Sequence, residues 1–254
     1  MSKSEMLILL TNDDGVDSQG LLELRSVLAG LGRVVTVAPS EERSAVSHGL
    51  TLHQPIRILS LAPDYYALTG TPADCVIFAL RKILTRLPDL VVSGINHGPN
   101  LGDDILYSGT VAAAREAALY RLPAVAVSSV NPKPENLPPA ANFVRRLLAD
   151  LYPDRIPAGT FLNVNVPEGD PQQYRFTRQG SKRVASAVEE KEDPRGRTYY
   201  WIGLDQSEWE VDVDTDYEAI QEGIVSVTPL QRDQTCYRTL QSYRRERAKI
   251  GISE

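Results

Sequence analysis

The chain has 254 residues, and at about one domain per 150 residues this length allows one large domain or one domain with a substantial appendage. Hydrophobic residues make up 42% and charged residues 24%, so the chain can bury a sizeable core and is not disordered as a whole. The formal net charge of -6 lacks the basic surplus of a general nucleic-acid or anionic-membrane binder. Any phosphate that the protein binds must therefore be held by local contacts.

The two cysteines, Cys75 and Cys236, have no CxxC spacing and form no cluster with histidine. A disulfide framework and a thiolate zinc site are therefore not expected. The apolar run at residues 6–10 is too short for a signal-peptide core, and no stretch reaches the ~18 apolar residues of a membrane span. These features predict a cytoplasmic protein that binds no membrane.

The first predicted elements are a strand, a helix and a second strand. Residues 6–10 are wholly apolar, which is typical of a strand buried on both faces of a parallel sheet. Leucines then recur at helical spacing, with Ser18 as the predicted N-cap and Gly32 as the predicted C′ residue. Residues 34–38 form the next strand, which Pro39 ends. The pattern predicts a βαβ unit.

The alternation of strands and helices continues to residue 166. Thr71, Pro72 and Asp74 have the order of an N-cap, a first-turn proline and a first-turn carboxylate, which opens a helix. Repeated β and α segments with uniformly apolar strands predict an α/β fold with a doubly wound, mostly parallel, Rossmann-like sheet. In such a sheet the ligand lies beyond the carboxyl ends of the strands. The elements predicted here are a helix to about residue 84, strands at 90–93, 124–128 and 161–166, and helices at 110–119 and 139–151.

Longer polar stretches follow residue 166. Residues 172–209 keep no helical period, so we interpret them as a C-terminal extension of β-hairpin or arm type. Within the remaining residues the patterns predict a helix at 216–221, a returning strand at 224–228 and a terminal helix at 239–250.

This change of texture divides the chain into an α/β core at 1–170 and an extension at 171–254, which we expect to serve oligomerisation. From Arg232 onward six basic and three acidic residues give a local charge of +3. The tail either docks on the acidic body or on a second subunit, or it is a solvated basic helix.

Two adjacent carboxylates follow the first strand. Asp13 and Asp14 can converge only if the chain turns, and Gly15 makes that turn easy. Two carboxylates about 4 Å apart repel by roughly 4 kcal/mol at an effective dielectric near 20, so a divalent cation is a natural compensation. Oxygen ligands favour Mg²⁺, Mn²⁺ or Ca²⁺ over zinc. The alternative is an Asp-Gly turn in which one Asp caps the next helix.

Polar residues also follow the second strand. Ser44 could add a hydroxyl ligand at the same sheet edge, and Arg43 could contact a phosphate. The alternative is an ordinary serine-rich loop.

The loop at 93–104 holds three glycines and two asparagines and has no apolar period, so its polar groups are candidates to face a ligand. It matches neither a Walker loop nor a dinucleotide fingerprint. Ser108, Gly109 and Thr110 then precede a helix, and a helix start with free N–H groups and two hydroxyls is a candidate anion site. The alternative is ordinary helix capping by Ser108 or Thr110.

The three histidines have separate interpretations. His97 lies in the glycine-rich loop and is a candidate general acid, His48 follows Ser44 in its loop, and His53 is expected to be structural. The alternative for each is a hydrogen-bonding surface residue. The chain has no G-x-S-x-G nucleophile elbow, which argues against an esterase triad.

Taken together, these segments resemble the SurE family of survival proteins, the metal-dependent 5′/3′-nucleotidases. The matching segments follow the family's order over nearly the whole chain: ILLTNDDGVDSQGL at 8–21, VAPSEERSAVSHGLTL at 37–52, GTPADCV at 70–76, PDLVVSGINHGPNLGDDILYSGTVAAAREA at 88–117, LNVNVP at 162–167, DPRGRTYYWIG at 193–203 and VSVTPLQRDQT at 225–235.

The resemblance implies one divalent metal ion, Mg²⁺ or Mn²⁺, and a set of site residues without a departure at any ligand position. It assigns no role to His97 or His48. The implied metal ligands are Asp13, Asp14, Ser44 and Asn96, and three of these, Asp13, Asp14 and Asn96, are also assigned to catalysis. The implied phosphate neighbours are Asn100, Ser108, Gly109 and Thr110. Arg43 is added to the substrate-binding residues because its loop follows the second strand at the same sheet edge.

The implied reaction is hydrolysis of nucleoside 5′-monophosphates to nucleoside and phosphate, with 3′-monophosphates as a further candidate substrate. The resemblance also implies homodimers or homotetramers with exchanged C-terminal arms. Within the family, trimming of short-chain polyphosphate is an alternative, and a nucleotide-sensing module without turnover is another. A haloacid-dehalogenase-like phosphatase would need Asp-x-Asp after the first strand, and residues 12–14 lack that spacing.

Overall fold

The computed structural model describes residues 5–151, 155–183, 188–202, 208–210 and 212–249. Within these ranges the strands in chain order are β1 (Leu7–Thr11), β2 (Arg33–Pro39), β3 (Ile58–Ala62), β4 (Tyr65–Leu68), β5 (Leu90–His97), β6 (Ala124–Ser129), β7 (Thr160–Val166), β8 (Tyr174–Phe176), β9 (Lys182–Arg183), β10 (Val188–Glu192), β11 (Thr198–Ile202), β12 (Glu208–Trp209) and β13 (Val225–Gln231). The helices are α1 (Gln19–Leu28), α2 (Pro72–Phe78), α3 (Gly109–Leu119), α4 (Leu137–Leu151), α5 (Asp216–Gln221) and α6 (Tyr237–Lys249). A π-helical turn at Ala79–Ile83 continues α2, and 3₁₀ turns lie at Gly102–Leu106 and Pro134–Asn136.

Nine of the described strands form one sheet in the order β3-β4-β2-β1-β5-β6-β7-β13-β8. Its neighbouring strands are parallel except for the pairs β3/β4 and β7/β13. From β1 the chain moves outward through β2 and then returns to build β5, β6 and β7 on the other side. The strand order therefore reverses between β1 and β5, and ligands bind at this switch point in doubly wound sheets. The predicted α/β fold with a doubly wound, mostly parallel sheet is confirmed.

Helices cover both faces of the sheet. Alternate side chains of β1 enter two hydrophobic clusters, with Ile8 and Leu10 in one and Leu7 and Leu9 in the other. The first cluster packs α1 and α4 against the sheet, and the second packs α2 and α3. Because β1 is buried on both sides, its sequence is uniformly apolar rather than alternating. Each fully buried Leu or Ile contributes about 1.5–3 kcal/mol of transfer free energy to this core.

Local signals set the starts of the helices. Ser18 accepts a hydrogen bond from the Leu21 N–H, and Thr71 forms a capping box with Asp74, so both predicted N-caps are confirmed. The predicted C′ role of Gly32 is wrong, because α1 ends at Leu28. Gly32 instead lies so close to the preceding strand segment that a Cβ there would be 2.2 Å from the Met6 carbonyl oxygen.

Two parts of the sheet differ from the sequence prediction. The strand predicted at 90–93 is β5, which runs on to His97 because its pairing with β6 resumes at Asn96 after a register shift. The hairpin of β3 and β4 was not predicted. All five residues of β3 are exposed, so this edge strand lacks the buried face that would produce a readable hydrophobic period.

The C-terminal part of the chain combines sheet strands with exposed arms. The predicted hairpin is present as β10 and β11, while β8 and β13 join the edge of the main sheet. The predicted helix at 216–221 is α5, and the predicted terminal helix is α6, with residue 250 outside the described residues. No helix in the described part of the chain is long and apolar enough to cross a membrane.

Candidate active site

The loop after β1 forms a tight polar turn at the switch point. The Asn12 side-chain amide donates to the Gly15 carbonyl oxygen at 2.8 Å and to the Ser18 hydroxyl at 2.7 Å. Gly15 adopts a φ of +99°, a conformation that L-residues with a side chain rarely adopt. This turn holds Asp13 and Asp14 at the carboxyl edge of the sheet.

Asp13 is almost completely buried against the start of α3. The Thr110 hydroxyl donates a hydrogen bond to Asp13 Oδ1, and the Arg43 backbone N–H donates to the Asp13 carbonyl oxygen at 2.7 Å. Gly109 allows this close approach, since a Cβ on Gly109 would lie 2.9 Å from both Cβ and Oδ2 of Asp13. Burial raises the pKa of Asp13, and the hydrogen bonds from Thr110 oppose that rise.

Asp14 faces the opposite wall of the crevice, formed by the end of β5. It accepts a hydrogen bond from the His97 backbone N–H at 3.3 Å, and its Oδ1 lies 3.6 Å from His97 Nδ1. Burial, reinforced by the charge of Asp13, raises the pKa of Asp14 to about 6, while His97 acts in the opposite direction. Two adjacent carboxylates whose pKa values are both raised, one of them partly by the charge of the other, form a site that a cation would stabilise.

Ser44 and Asn96 bring neutral oxygen atoms to the same crevice. The Ser44 hydroxyl donates to Glu42 Oε1 at 2.6 Å, and the Asn96 side-chain amide donates to the Gly98 carbonyl oxygen at 2.8 Å. The Asn96 nitrogen is thus used within its own loop, which leaves the amide oxygen as the atom suited to a cation. In the described ranges no three His, Cys, Asp or Glu side chains are grouped to hold a metal, so a cation here would need such neutral oxygens.

The predicted site residues divide between two adjoining cavities. A cavity of about 200 Å³ is lined by five of them. Asp14 lines the adjoining cavity of about 450 Å³, and Ser44 and His97 line both. Gly109 and Thr110 lie behind Asp13. The five predicted residues on the smaller cavity are Asp13, Ser44, Asn96, Asn100 and Ser108.

The Arg43 side chain lies apart from these cavities. Its guanidinium pairs with Glu41 at 2.6 Å, and its Nε is buried without a hydrogen-bond partner. In the structure, Arg43 contributes to the site through its backbone N–H, which donates to the Asp13 carbonyl oxygen. A phosphate contact of its side chain stays a prediction.

Asn100 is fixed by polar side chains from the neighbouring strands. Its side-chain amide donates to Ser128 at 2.8 Å, and its backbone N–H donates to Asn165 Oδ1 at 2.8 Å. The Asn100 carbonyl oxygen accepts from the amides of Asn163 and Asn165. These supporting residues were not among the predicted site residues, although two asparagines two positions apart in a mostly apolar strand are a signal for one shared polar face.

Ser108 has two roles in the geometry. It is the N-cap of α3, and its hydroxyl oxygen accepts from the Val111 N–H at 3.1 Å. It also lines the smaller cavity, so its hydroxyl hydrogen remains a donor for a group bound there. The capping alternative for Ser108 and the anion-site interpretation are therefore compatible.

The histidines occupy three different environments. His97 lines both cavities, whereas the His48 ring nitrogen Nε2 lies 2.8 Å from the buried Glu116 carboxylate in α3. His53 is exposed. Of the three, only His97 is therefore placed to meet a bound molecule.

The fold and the site together define a class: α/β proteins with a doubly wound sheet and a cluster of carboxylate, hydroxyl and amide side chains at the strand-end crevice. The family model "Survival protein SurE" matches residues 8–186. The chain therefore belongs to the SurE family, as the sequence motifs indicated.

Individual relatives cover nearly the whole chain. A protein from Syntrophotalea carbinolica named 5′-nucleotidase SurE is 48% identical over 93% of this chain and 95% of its own length. A protein of the same name from Pelobacter propionicus is 46% identical over 92% of this chain and 97% of its own. The crystal structure of the SurE protein from Aquifex aeolicus is similar with a TM-score of 0.82 and 41% identity, over 93% of this chain and 97% of that one.

Proposed function

We propose that this protein is a metal-dependent phosphatase that hydrolyses nucleoside 5′-monophosphates to nucleoside and phosphate. The observation that carries the proposal is the meeting of Asp13, Ser44, Asn96, Asn100 and Ser108 on one cavity at the switch point. The many relatives named 5′-nucleotidase SurE support the same substrate class. The adjoining cavity of about 450 Å³ offers the space that the nucleoside would need.

One divalent ion, Mg²⁺ or Mn²⁺, would be held by Asp13, Asp14, Ser44 and Asn96. When bound, it would neutralise phosphoryl oxygens and activate a water molecule for in-line attack. The protein itself orients the ligands. Thr110 fixes the Asp13 carboxylate, while the His97 N–H and ring hold Asp14.

The phosphate would lie between the ion and the start of α3. Asn100 and Ser108, which line the cavity, are the groups proposed to bind its remaining oxygens. The N–H groups at Gly109 and Thr110, which also hydrogen-bond the Asp13 carboxylate, are proposed as further contacts at the helix start. Because their backbone is fixed before substrate arrives, they would stabilise developing charge without reorganising. The side chain of Arg43 remains a further candidate contact.

A phosphate-release panel tests the proposal. Wild-type protein is given the 5′- and 3′-monophosphates of the common nucleosides and short-chain polyphosphate, before and after EDTA treatment and with Mg²⁺ or Mn²⁺ added back. We expect release from 5′-monophosphates that EDTA abolishes and metal restores. Full turnover after exhaustive EDTA treatment would contradict the metal mechanism. Nucleotide binding without phosphate release would favour a sensing module, and preferential release from polyphosphate would favour the chain-trimming alternative.

We also propose that the extension at 171–254 makes the protein a homodimer or homotetramer with exchanged arms. The hairpin of β10 and β11 exposes Tyr200, Trp201 and Ile202, and the side chains of α6 that the structure describes are exposed except for that of Leu240. Light scattering should give a mass of two or four times 28.0 kDa, reduced by the paired change Tyr200→Glu and Ile202→Glu. A 28.0 kDa particle at micromolar concentration would contradict the proposal.

A further inference from the structure

The extension reaches back to the active-site cavity. The 3₁₀ turn Gly102–Leu106 lies between β5 and α3, and three cavity-lining residues, Asp104, Tyr107 and Ser108, lie in or directly after it. Residues of the extension, far away along the chain, contact this turn. Its position is therefore not set by the core alone.

Asp216, the first residue of α5, holds the turn with a fully buried carboxylate. Its Oδ2 accepts from the Gly102 N–H at 2.9 Å, and its Oδ1 accepts from the Gly180 N–H at 2.9 Å and the Tyr217 N–H at 2.8 Å. The first of these bonds spans 114 residues of sequence. Burial raises the pKa of Asp216 while the three backbone bonds oppose the rise, so the carboxylate is held by specific donors rather than by water.

The residues around this carboxylate are closely packed. Gly102 has a φ of +51°, and a Cβ there would lie 2.7 Å from the Trp209 ring. A Cβ on Gly180 would lie 2.9 Å from Asp216 Oδ1. Trp209 stacks on Tyr217 with a centroid separation of 4.2 Å. Turn and extension thus form one closely packed unit.

Lys182 joins the extension to the cavity wall by charge. Its Nζ lies 2.7 and 2.9 Å from the two oxygens of Asp104, and its backbone N–H donates to Asp103 at 3.0 Å. The Lys182 side chain is only 11% exposed, whereas the Asp104 carboxylate that it pairs with is 37% exposed at the cavity side. Asp104 lines the smaller cavity. Without the ammonium group, its carboxylate would repel a phosphate dianion bound there.

We propose that Lys182 and Asp216 are positioning residues for the phosphate end of the active site. Asp216 fixes the turn Gly102–Leu106, and Lys182 neutralises and orients Asp104, so the extension completes a site whose other residues come from the core. The inference rests on the proposed phosphatase function, and it concerns substrate affinity rather than the chemical step.

Lys182→Met tests whether the positive charge of Lys182 neutralises Asp104. We expect the KM for a nucleoside 5′-monophosphate and the inhibition constant of inorganic phosphate to rise together, by roughly tenfold. The kcat and the half-saturating Mn²⁺ concentration should stay within about twofold of wild type. Adding Asp104→Asn should return both raised constants toward wild type, because the charge to be neutralised is gone. Lys191→Met, which breaks the exposed Lys191–Glu189 pair of the hairpin, is the matched control.

Unchanged constants in folded Lys182→Met would overturn the proposal. Raised constants that Asp104→Asn does not lower would make Lys182 a direct phosphate ligand, which overturns the positioning role. If the wild type released no phosphate from any monoester, the proposed function would fail instead. Calorimetric titration with inorganic phosphate in Mn²⁺ would then still read the effect of Lys182 on anion binding.

Asp216→Asn tests whether the Asp216 carboxylate fixes the turn Gly102–Leu106. The amide nitrogen of Asn would place a hydrogen-bond donor against one of the backbone N–H groups that now donate to the carboxylate. We expect a lower melting temperature and a several-fold higher KM, with the metal requirement unchanged. Leu147→Ala, on the buried face of α4, destabilises the protein away from the turn and should leave KM unchanged when assayed below its melting temperature. If Asp216→Asn and Leu147→Ala lowered the melting temperature equally and neither raised KM, Asp216 would have only a structural role. That result would overturn its part of the proposal.

Discussion

At the scale of single residues, the candidate site depends on two neighbouring carboxylates held in different ways. Asp13 is fixed from the side of α3 by Thr110, and Asp14 from the side of β5 by His97. Both pKa values are raised because burial disfavours the charged form. Ionising two adjacent buried carboxylates costs electrostatic free energy, and a bound cation would offset that cost. The site is therefore suited to a cation.

Replacing either carboxylate should therefore affect function far more than folding. We expect Asp13→Asn and Asp14→Asn each to lose most of kcat, because the metal site is weakened while like-charge repulsion is relieved. In EDTA, the melting temperature of each variant should equal or exceed that of the wild type. Asp150→Asn, an exposed carboxylate in α4, is the control and should change neither quantity. Turnover and metal affinity at the wild-type level in both site variants would return the pair to the role of a turn.

At the scale of secondary-structure elements, α3 connects the two halves of the site. Its first residues contact Asp13, its N-cap lines the cavity, and its N-terminal N–H groups favour an anion. A single change in the first turn can therefore disturb metal and phosphate binding in distinguishable ways.

Gly109→Ala should damage the metal side of the site. The added methyl group would lie 2.9 Å from Asp13 Cβ and Oδ2, so the carboxylate must move. We expect kcat to fall at least tenfold and the half-saturating metal concentration to rise. Gly30→Ala, where the added atom meets only the Val27 carbonyl oxygen at 3.5 Å, is the matched control. If kinetics of Gly109→Ala equalled those of Gly30→Ala, the close approach of α3 to Asp13 would not matter for catalysis.

Ser108→Ala should act on the phosphate side instead. Losing one hydrogen bond to the phosphate costs about 1 kcal/mol, so KM and the phosphate inhibition constant should each rise about fivefold. Arg115→Gln is a control within the same helix, because Arg115 lines a separate cavity of about 580 Å³ with Ile105 and Leu106. Both constants should stay unchanged in that variant. A larger effect from Arg115→Gln than from Ser108→Ala would show that phosphate is bound elsewhere.

At the scale of the whole molecule, the net charge of -6 gives no long-range attraction for a phosphate dianion. Affinity must then come from short-range groups in the crevice, namely the metal, Asn100 and the start of α3. The ammonium group of Lys182 next to Asp104 fits this picture, because it cancels a local charge rather than creating a positive field.

The salt dependence of the reaction follows from this charge distribution. Raising the concentration of a salt with a non-binding anion from roughly 50 to roughly 300 mM shortens the screening length but removes little steering. We expect kcat/KM to change only a few-fold, while inorganic phosphate inhibits competitively. A fall of one hundred-fold over that range would indicate a basic approach surface and contradict the short-range account.

Elements with local signals could be predicted from the amino-acid sequence. The capping box at Thr71 and the N-cap at Ser18 depend on residues within one helical turn, and the apolar runs of β1 and β6 reflect burial on both faces. The polar loops at the strand ends were recognisable because parallel strands bring their carboxyl ends to one edge. The family resemblance followed from those loops together with segments farther along the chain at 162–167, 193–203 and 225–235.

Contacts between distant segments could not be predicted in this way, because they form only when the chain folds. No spacing or periodicity in the sequence predicts the hydrogen bond from Gly102 to Asp216 or the ion pair of Lys182 with Asp104. Each joins residues at least 78 positions apart. The backbone bond from Arg43 to Asp13 likewise joins two different loops, 30 positions apart. Local sequence carries propensity and burial pattern, whereas the placement of the extension against the turn is set by long-range packing that only the folded chain contains.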